Sequence, residues 1–201
     1  KTISNTFIVK VPSLSNLYED IEESESNFMN EMVEGLNDMK SMKNKFESLE
    51  LKMLKTTELD WDQQQSLKNS MEKAREEIKK LNKIAEVIEK ITEQAEKHNL
   101  FSPTLLEKFK KLNELINDVI PENMSNNLEN FQMALDEMDL ESMQDALGNL
   151  SDNIEEIENN LDRYLEIFKR FQAEQKLDEI QNRMQQLLEQ RSSTDQDIAN
   201  T

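Results

Sequence analysis

Leu140 to Phe171 reads LESMQDALGNLSDNIEEIENNLDRYLEIFKRF. Leu140, Leu147, Ile154, Leu161 and Phe168 recur every seven residues, and Met143, Leu150, Ile157, Tyr164 and Phe171 form a second set three residues further on. Asp, Glu, Asn, Gln and Arg fill most of the positions between them. This is the a/d seam of a coiled-coil-type helix. The rest of the chain reads as helices that cover that seam.

Glycine occurs only at positions 35 and 148 and proline only at 12, 103 and 121 of the 201 residues, so breakers are too scarce for anything but long helices. A third of the residues are charged, as in helical rods. The same composition fits disorder, but regular apolar spacing argues against it. The formal charge of -18 excludes the phosphate neutralisation that nucleic acid needs and disfavours anionic membrane surfaces. Cysteine is absent, so disulfide and thiol chemistry are excluded. No apolar run has the length that direct membrane insertion requires. The chain starts at Lys1 without a signal-peptide pattern and reads as a segment of something larger.

Upstream of the seam, residues 1–12 stand apart. Phe7, Val9 and Val11 alternate with Ile8 and Lys10 before Pro12, a short β-strand or an extended arm along the helices. Helix one follows, capped by Ser13 or Ser15. Leu14, Ile21, Phe28, Met42 and Leu49 occupy one heptad set, Tyr18, Met32, Met39, Phe46 and Met53 the other, with Glu25 and Gly35 as gaps. Asp60-Trp61-Asp62-Gln63 has the spacing of a capping box. Helix two then runs to about His98 on Leu67, Met71, Ala74, Ile78, Leu81, Ala85 and Ile88. Trp61 is expected to cover the end of the bundle. Ser102-Pro103 starts helix three (Leu105, Phe109, Leu112, Ile116, Val119), which ends or kinks at Pro121. Met124, Leu128, Phe131 and Leu135 mark helix four, and Asp139 caps the seam helix.

Helices of matched length joined by short loops must run antiparallel. The expected fold is all-α: an elongated antiparallel bundle or coiled coil over 13–172. Beyond Phe171 the next seam positions, Gln175 and Asp178, are polar, and Leu177, Ile180, Met184 and Leu187 form a stripe on nearly the opposite side of the helix. The bundle is therefore expected to end near Phe171, leaving 173–192 as a helical tail. Its stripe is the candidate interaction face, for another segment of the parent chain or a second copy. A kink near Ala173 would instead return the stripe to the same bundle. Residues 193–201 read as a disordered end.

No constellation carries chemistry. His98 is the only histidine, and Ala95 stands where a ferritin-type Glu-x-x-His pair needs its Glu. Its place in the last turn of helix two suits a cation at the helix dipole. Calcium loops, phosphate-cradling loops and nucleophile elbows all need glycines that are missing. No catalytic residue, metal or cofactor is expected. The acidic clusters read as a solvated face. Met29, Met32, Met39, Met42 and Met53 read as core rather than as an adaptable binding surface.

Glu58-Leu59-Asp60-Trp61, the Asn99-Leu100-Phe101-Ser102-Pro103 junction with Leu105, Glu107 and Lys108, and Asn160-Leu161-Asp162-Arg163 running into Ala173-Glu174-Gln175-Lys176-Leu177-Asp178-Glu179 together resemble the long helical region of a family of large uncharacterised bacterial envelope proteins. The family has N-terminal transmembrane helices, β-rich segments and Glu-rich coiled coils. The resemblance implies an extracytoplasmic, periplasmic location and supplies no catalytic residues. The function expected is a structural spacer or scaffold mediating protein–protein interaction. The alternative is an acidic helical module that docks a basic partner.

Overall fold

The computed structural model describes residues 13–55 and 58–199, with side chains as far as 192. The expected strand or arm at 1–12 lies outside the described residues. Five helices follow in order: α1 Leu14–Met53, α2 Trp61–His98, α3 Pro103–Asn117, α4 Met124–Glu137 and α5 Leu140–Ala199. No strand occurs among the described residues.

The helix ends follow side-chain chemistry. Ser13 accepts the Asn16 N–H at 3.2 Å and so caps α1. Asp60 accepts the Gln63 N–H at 2.8 Å while the Gln63 carboxamide accepts the Asp60 N–H at 3.0 Å, a complete capping box. Ser102 caps α3 with Pro103 in its first turn. Asp139 accepts the Ser142 hydroxyl at 2.6 Å, the main reason its carboxyl lies below the ordinary value, and the Glu141 N–H at 3.1 Å. Asn99 and Met138 adopt left-handed backbone at φ 52° and 59° and stop α2 and α4.

Named contacts fix how the helices run. Lys43 pairs with Glu155 at 3.0 Å and Lys176 pairs with Glu22, so α5 descends as α1 ascends. Gly35 of α1 faces Leu81 and Ile84 of α2 and Leu161 of α5. A Cβ at Gly35 would lie 3.1 Å from Leu81 Cδ2, so the missing side chain is what lets α1 and α2 close there. Lys110 of α3 reaches Glu96 of α2 at 2.7 Å, and Asn127 of α4 reaches Asn153 of α5 at 2.6 Å. α3 and α4 thus form one leg, interrupted at 118–123, lying against both α2 and α5.

The core is a single cluster. Leu147, Leu150, Ile154, Ile157 and Phe168 are fully buried, and Leu161 nearly so, against Ile21, Phe28, Met32, Met39, Ile88 and Phe131. The Phe168 ring meets Phe28 at 4.4 Å and Phe109 edge-on at 5.9 Å. Met32, Met39, Met42 and Met53 are buried, as core methionines should be.

Three expectations need correction. Trp61 does not cover the end of the bundle: it is 72% exposed. At 100° per residue it lies roughly 110° around α2 from the stripe of Leu67, Met71 and Ala74. Residues 193–199, expected to be disordered, have helical backbone within α5. The bundle, finally, does not end near Phe171. Gln175 is fully buried and Glu179 is 8% exposed, because the first turns of α1 reach back along α5 well past that point.

Candidate functional site

α5 has two unlike faces after Phe171. The outer one carries Leu177, Ile180, Met184 and Leu187, 55–67% exposed, joined by Leu188 at 63%. α5 continues straight through Ala173, so the stripe stays outside the bundle. Four large apolar side chains at 3-4-3 spacing have the periodicity that a partner helix reads.

The inner face is polar and docked. Asp178 accepts the Ser102 backbone N–H at 2.7 Å, placing a carboxylate at the N-terminus of α3 where the helix dipole favours it. Asn182 donates to the Tyr18 hydroxyl oxygen at 2.8 Å and to the Leu100 carbonyl at 3.2 Å. Tyr18 itself donates to the same carbonyl at 3.0 Å. Burial raises the Tyr18 phenol above its ordinary value, and the bond from Asn182 opposes that. Arg183 holds Glu179 at 2.6 Å and lies over the Tyr18 ring at 5.9 Å. Lys108 of α3 grips Glu174 at 2.6 Å. Lys176 is raised chiefly by its bond to Glu22.

Between this polar end and the aromatic core sits Glu25, only 3% exposed. Burial pushes its carboxyl up from 4.5 to about 7. Gln172, donating at 3.5 Å, and Lys176 and Gln175 from α5 pull the other way, while Glu22 adds to the rise. A gap in the heptad set of α1 was the only sign of Glu25 in the sequence. Gln175 showed itself only as a polar residue at a seam position. A second polar layer lies at the Pro121 break. Asn153, 4% exposed, donates to Asn123 at 2.8 Å and accepts from Asn127 at 2.6 Å.

The remaining surfaces offer less. A groove of about 520 Å³ runs between α1 and α2, where Ser41, Ser48, Ser66 and Asn69 are too small to fill it. Neither a carboxylate nor a histidine lines it, so it has no acid–base pair. At the opposite end from the tail, Leu59, Met138 and Leu140 line a shallow hollow, and Leu51, Leu54 and Trp61 are exposed. His98 is half-exposed in the last turn of α2. Among the described residues no cluster of His, Asp and Glu could hold a metal ion, and no helix is long and apolar enough to cross a membrane.

No family model, no curated protein and no solved structure matches this chain. Its own surfaces therefore carry the functional argument. The tail is where exposed apolar periodicity and a rigidly docked opposite face coincide.

Proposed function

We propose that the chain is a structural spacer within a larger envelope-associated protein, an elongated antiparallel coiled-coil rod that presents an interaction surface at a set distance. At 1.5 Å per residue its two longest legs before α5 would extend about 60 Å. The observation that carries the reading is the exposed stripe Leu177, Ile180, Met184 and Leu187 on a helix whose other face is fixed to the bundle. The occupant we assign to it is a second copy of the same tail. Between 169 and 191 the basic residues Lys169, Arg170, Lys176, Arg183 and Arg191 nearly balance Glu174, Asp178, Glu179 and Glu189. Two tails can approach where two faces of a chain of charge -18 repel. Another segment of the parent chain could occupy the same stripe. The periplasmic placement rests on the sequence resemblance alone, most of it carried by the Leu59-Asp60-Trp61 and Ser102-Pro103 junctions. The reading assigns the chain no catalytic step.

Sedimentation of the whole chain and of the Ile180→Ser/Leu187→Ser double variant tests this. Association that rises with concentration, survives high salt and disappears in the variant is expected, because apolar contacts are not screened. Equal sedimentation of the two proteins would reject the tail as the interface. The high acidity of the chain favours one other reading, an acidic module docking a basic partner. Binding of that kind would fade with salt and ignore the double substitution.

A further inference from the structure

Among the described residues, three buried side-chain atoms find no hydrogen-bond partner: Glu25 Oε1, Gln175 Oε1 and Gln175 Nε2. They belong to two residues on facing helices, and Gln175 bears directly on the Glu25 carboxyl. The inventory is two acceptors and one donor. An ionised carboxylate can only accept, so it could satisfy Gln175 Nε2 but would leave Gln175 Oε1 without a donor. A carboxylic acid and a primary amide are complementary: the acid O–H donates to the amide oxygen while the amide N–H donates to the acid carbonyl. One proton supplies the missing donor and closes all three orphans.

We propose that Glu25 and Gln175 form a one-proton latch between α1 and α5. Glu25 takes a proton from solvent when residues 172–183 dock on α1, and returns it when they lift away. Acidification therefore tightens the docking of the tail, whatever the tail binds.

The surroundings fit this assignment. From α1, Glu22 disfavours a second negative charge. From α5, Gln172, Lys176 and Gln175 favour one, but burial outweighs all three, and Lys176 also bonds to Glu22 and lies 3.5 Å from Glu179. The buried residues in the last turns of α2, Ile91, Thr92 and Ala95, and in the first turns of α3, Leu105 and Phe109, are none of them ionisable. Their nearby charged residues are engaged or outside: Glu96 with Lys110, Lys108 with Glu174, and His98 half-exposed. The buried acid, raised from 4.5 to about 7, is protonated in the docked state over a range where the undocked state is ionised. The docked state thus loses a proton on opening, and opening becomes easier as pH rises from about 4.5 to about 7.

Hydrogen exchange at the amides of 172–183, corrected for the intrinsic rate, should show opening increase about tenfold between about pH 6 and pH 8. Glu25→Gln, which keeps a donor and an acceptor but cannot titrate, should abolish that dependence. His98→Gln should preserve it, which excludes the residue type that ordinarily titrates in this window. Should Glu25→Gln fold poorly, the side-chain carboxyl of Glu25 can be titrated in the wild-type chain by carbon NMR, with a midpoint near 7 expected. A midpoint near 4.5, or pH-independent exchange at 172–183 in the wild type, would overturn the latch.

Discussion

Phe168→Ala removes the side chain on which three legs of the bundle converge. The ring is fully buried, 4.4 Å from Phe28 of α1 and 5.9 Å from Phe109 of α3. Truncating a buried Phe to Ala costs about 3–5 kcal/mol in lost transfer energy and residual cavity. Two aromatic partners, each worth about 0.5–1.5 kcal/mol beyond area, push the value toward the upper end. Partial collapse works against that, because α3 is a 15-residue piece of an interrupted leg and can shift inward. The expected loss is ~4 kcal/mol, read as the change in urea midpoint at unchanged slope by far-UV circular dichroism. Phe171→Ala, in the same seam but only half-buried, should lose clearly less. A loss below about 1 kcal/mol for Phe168→Ala would mean that the three legs do not pack on this ring.

Ending the chain at Gln172 should destabilise the remainder by ~3 kcal/mol or more, since it strips the charged partner from Ser102 N–H and uncovers Tyr18 and Leu100. Near pH 4.5 is the place to measure it, because Glu25 is then largely protonated when buried and only half ionised when uncovered, so it gains little from being uncovered; an unchanged urea midpoint would show that 173–183 lie outside the cooperative core. Gly148→Ala should stabilise by about 0.5–1 kcal/mol through helix propensity, as nothing lies within 4 Å of the new Cβ. Gly35→Ala should gain less or lose, because Leu81 must give way; equal thermal shifts for the two substitutions would refute the close approach of α1 and α2.

Most of the architecture was legible because it depends on local patterns. A capping box is a four-residue statement, and Asp60 with Gln63 made it without ambiguity. Apolar residues at seven-residue spacing have essentially one outcome, burial, which is why Leu147, Ile154, Leu161 and Phe168 fell where expected. A polar residue at a seam position has two outcomes. It faces water, or it is buried against a partner that satisfies it. The partners that decide this lie 76 residues from Asp178 and 164 from Asn182, beyond the reach of any pattern within one helix. Reading polarity as solvation therefore ended the bundle too early, at Phe171. Trp61 misled in the opposite sense, since an aromatic residue beside a cap suggests burial until its angle to the stripe is worked out.

The two polar layers then acquire a reason that the apolar seam lacks. A run of interchangeable Leu, Ile and Met tolerates a slip of one heptad, because each knob finds a similar hole. Asn153, bonded to Asn123 and Asn127, and Asn182, bonded to Tyr18 and Leu100, bracket the apolar run from Ile154 to Phe171. A slip of α5 by seven residues would break both sets and leave Asn153 buried without partners. Each orphaned buried amide costs about 1–3 kcal/mol, so the penalty falls on the wrong alignment while the native one is satisfied. Glu25 and Gln175 differ from both sets in being incompletely satisfied as they stand. Register is already held on either side of them, so their three orphaned atoms add little to alignment. What they do add is sensitivity to a proton, in the segment that fixes the tail to the bundle.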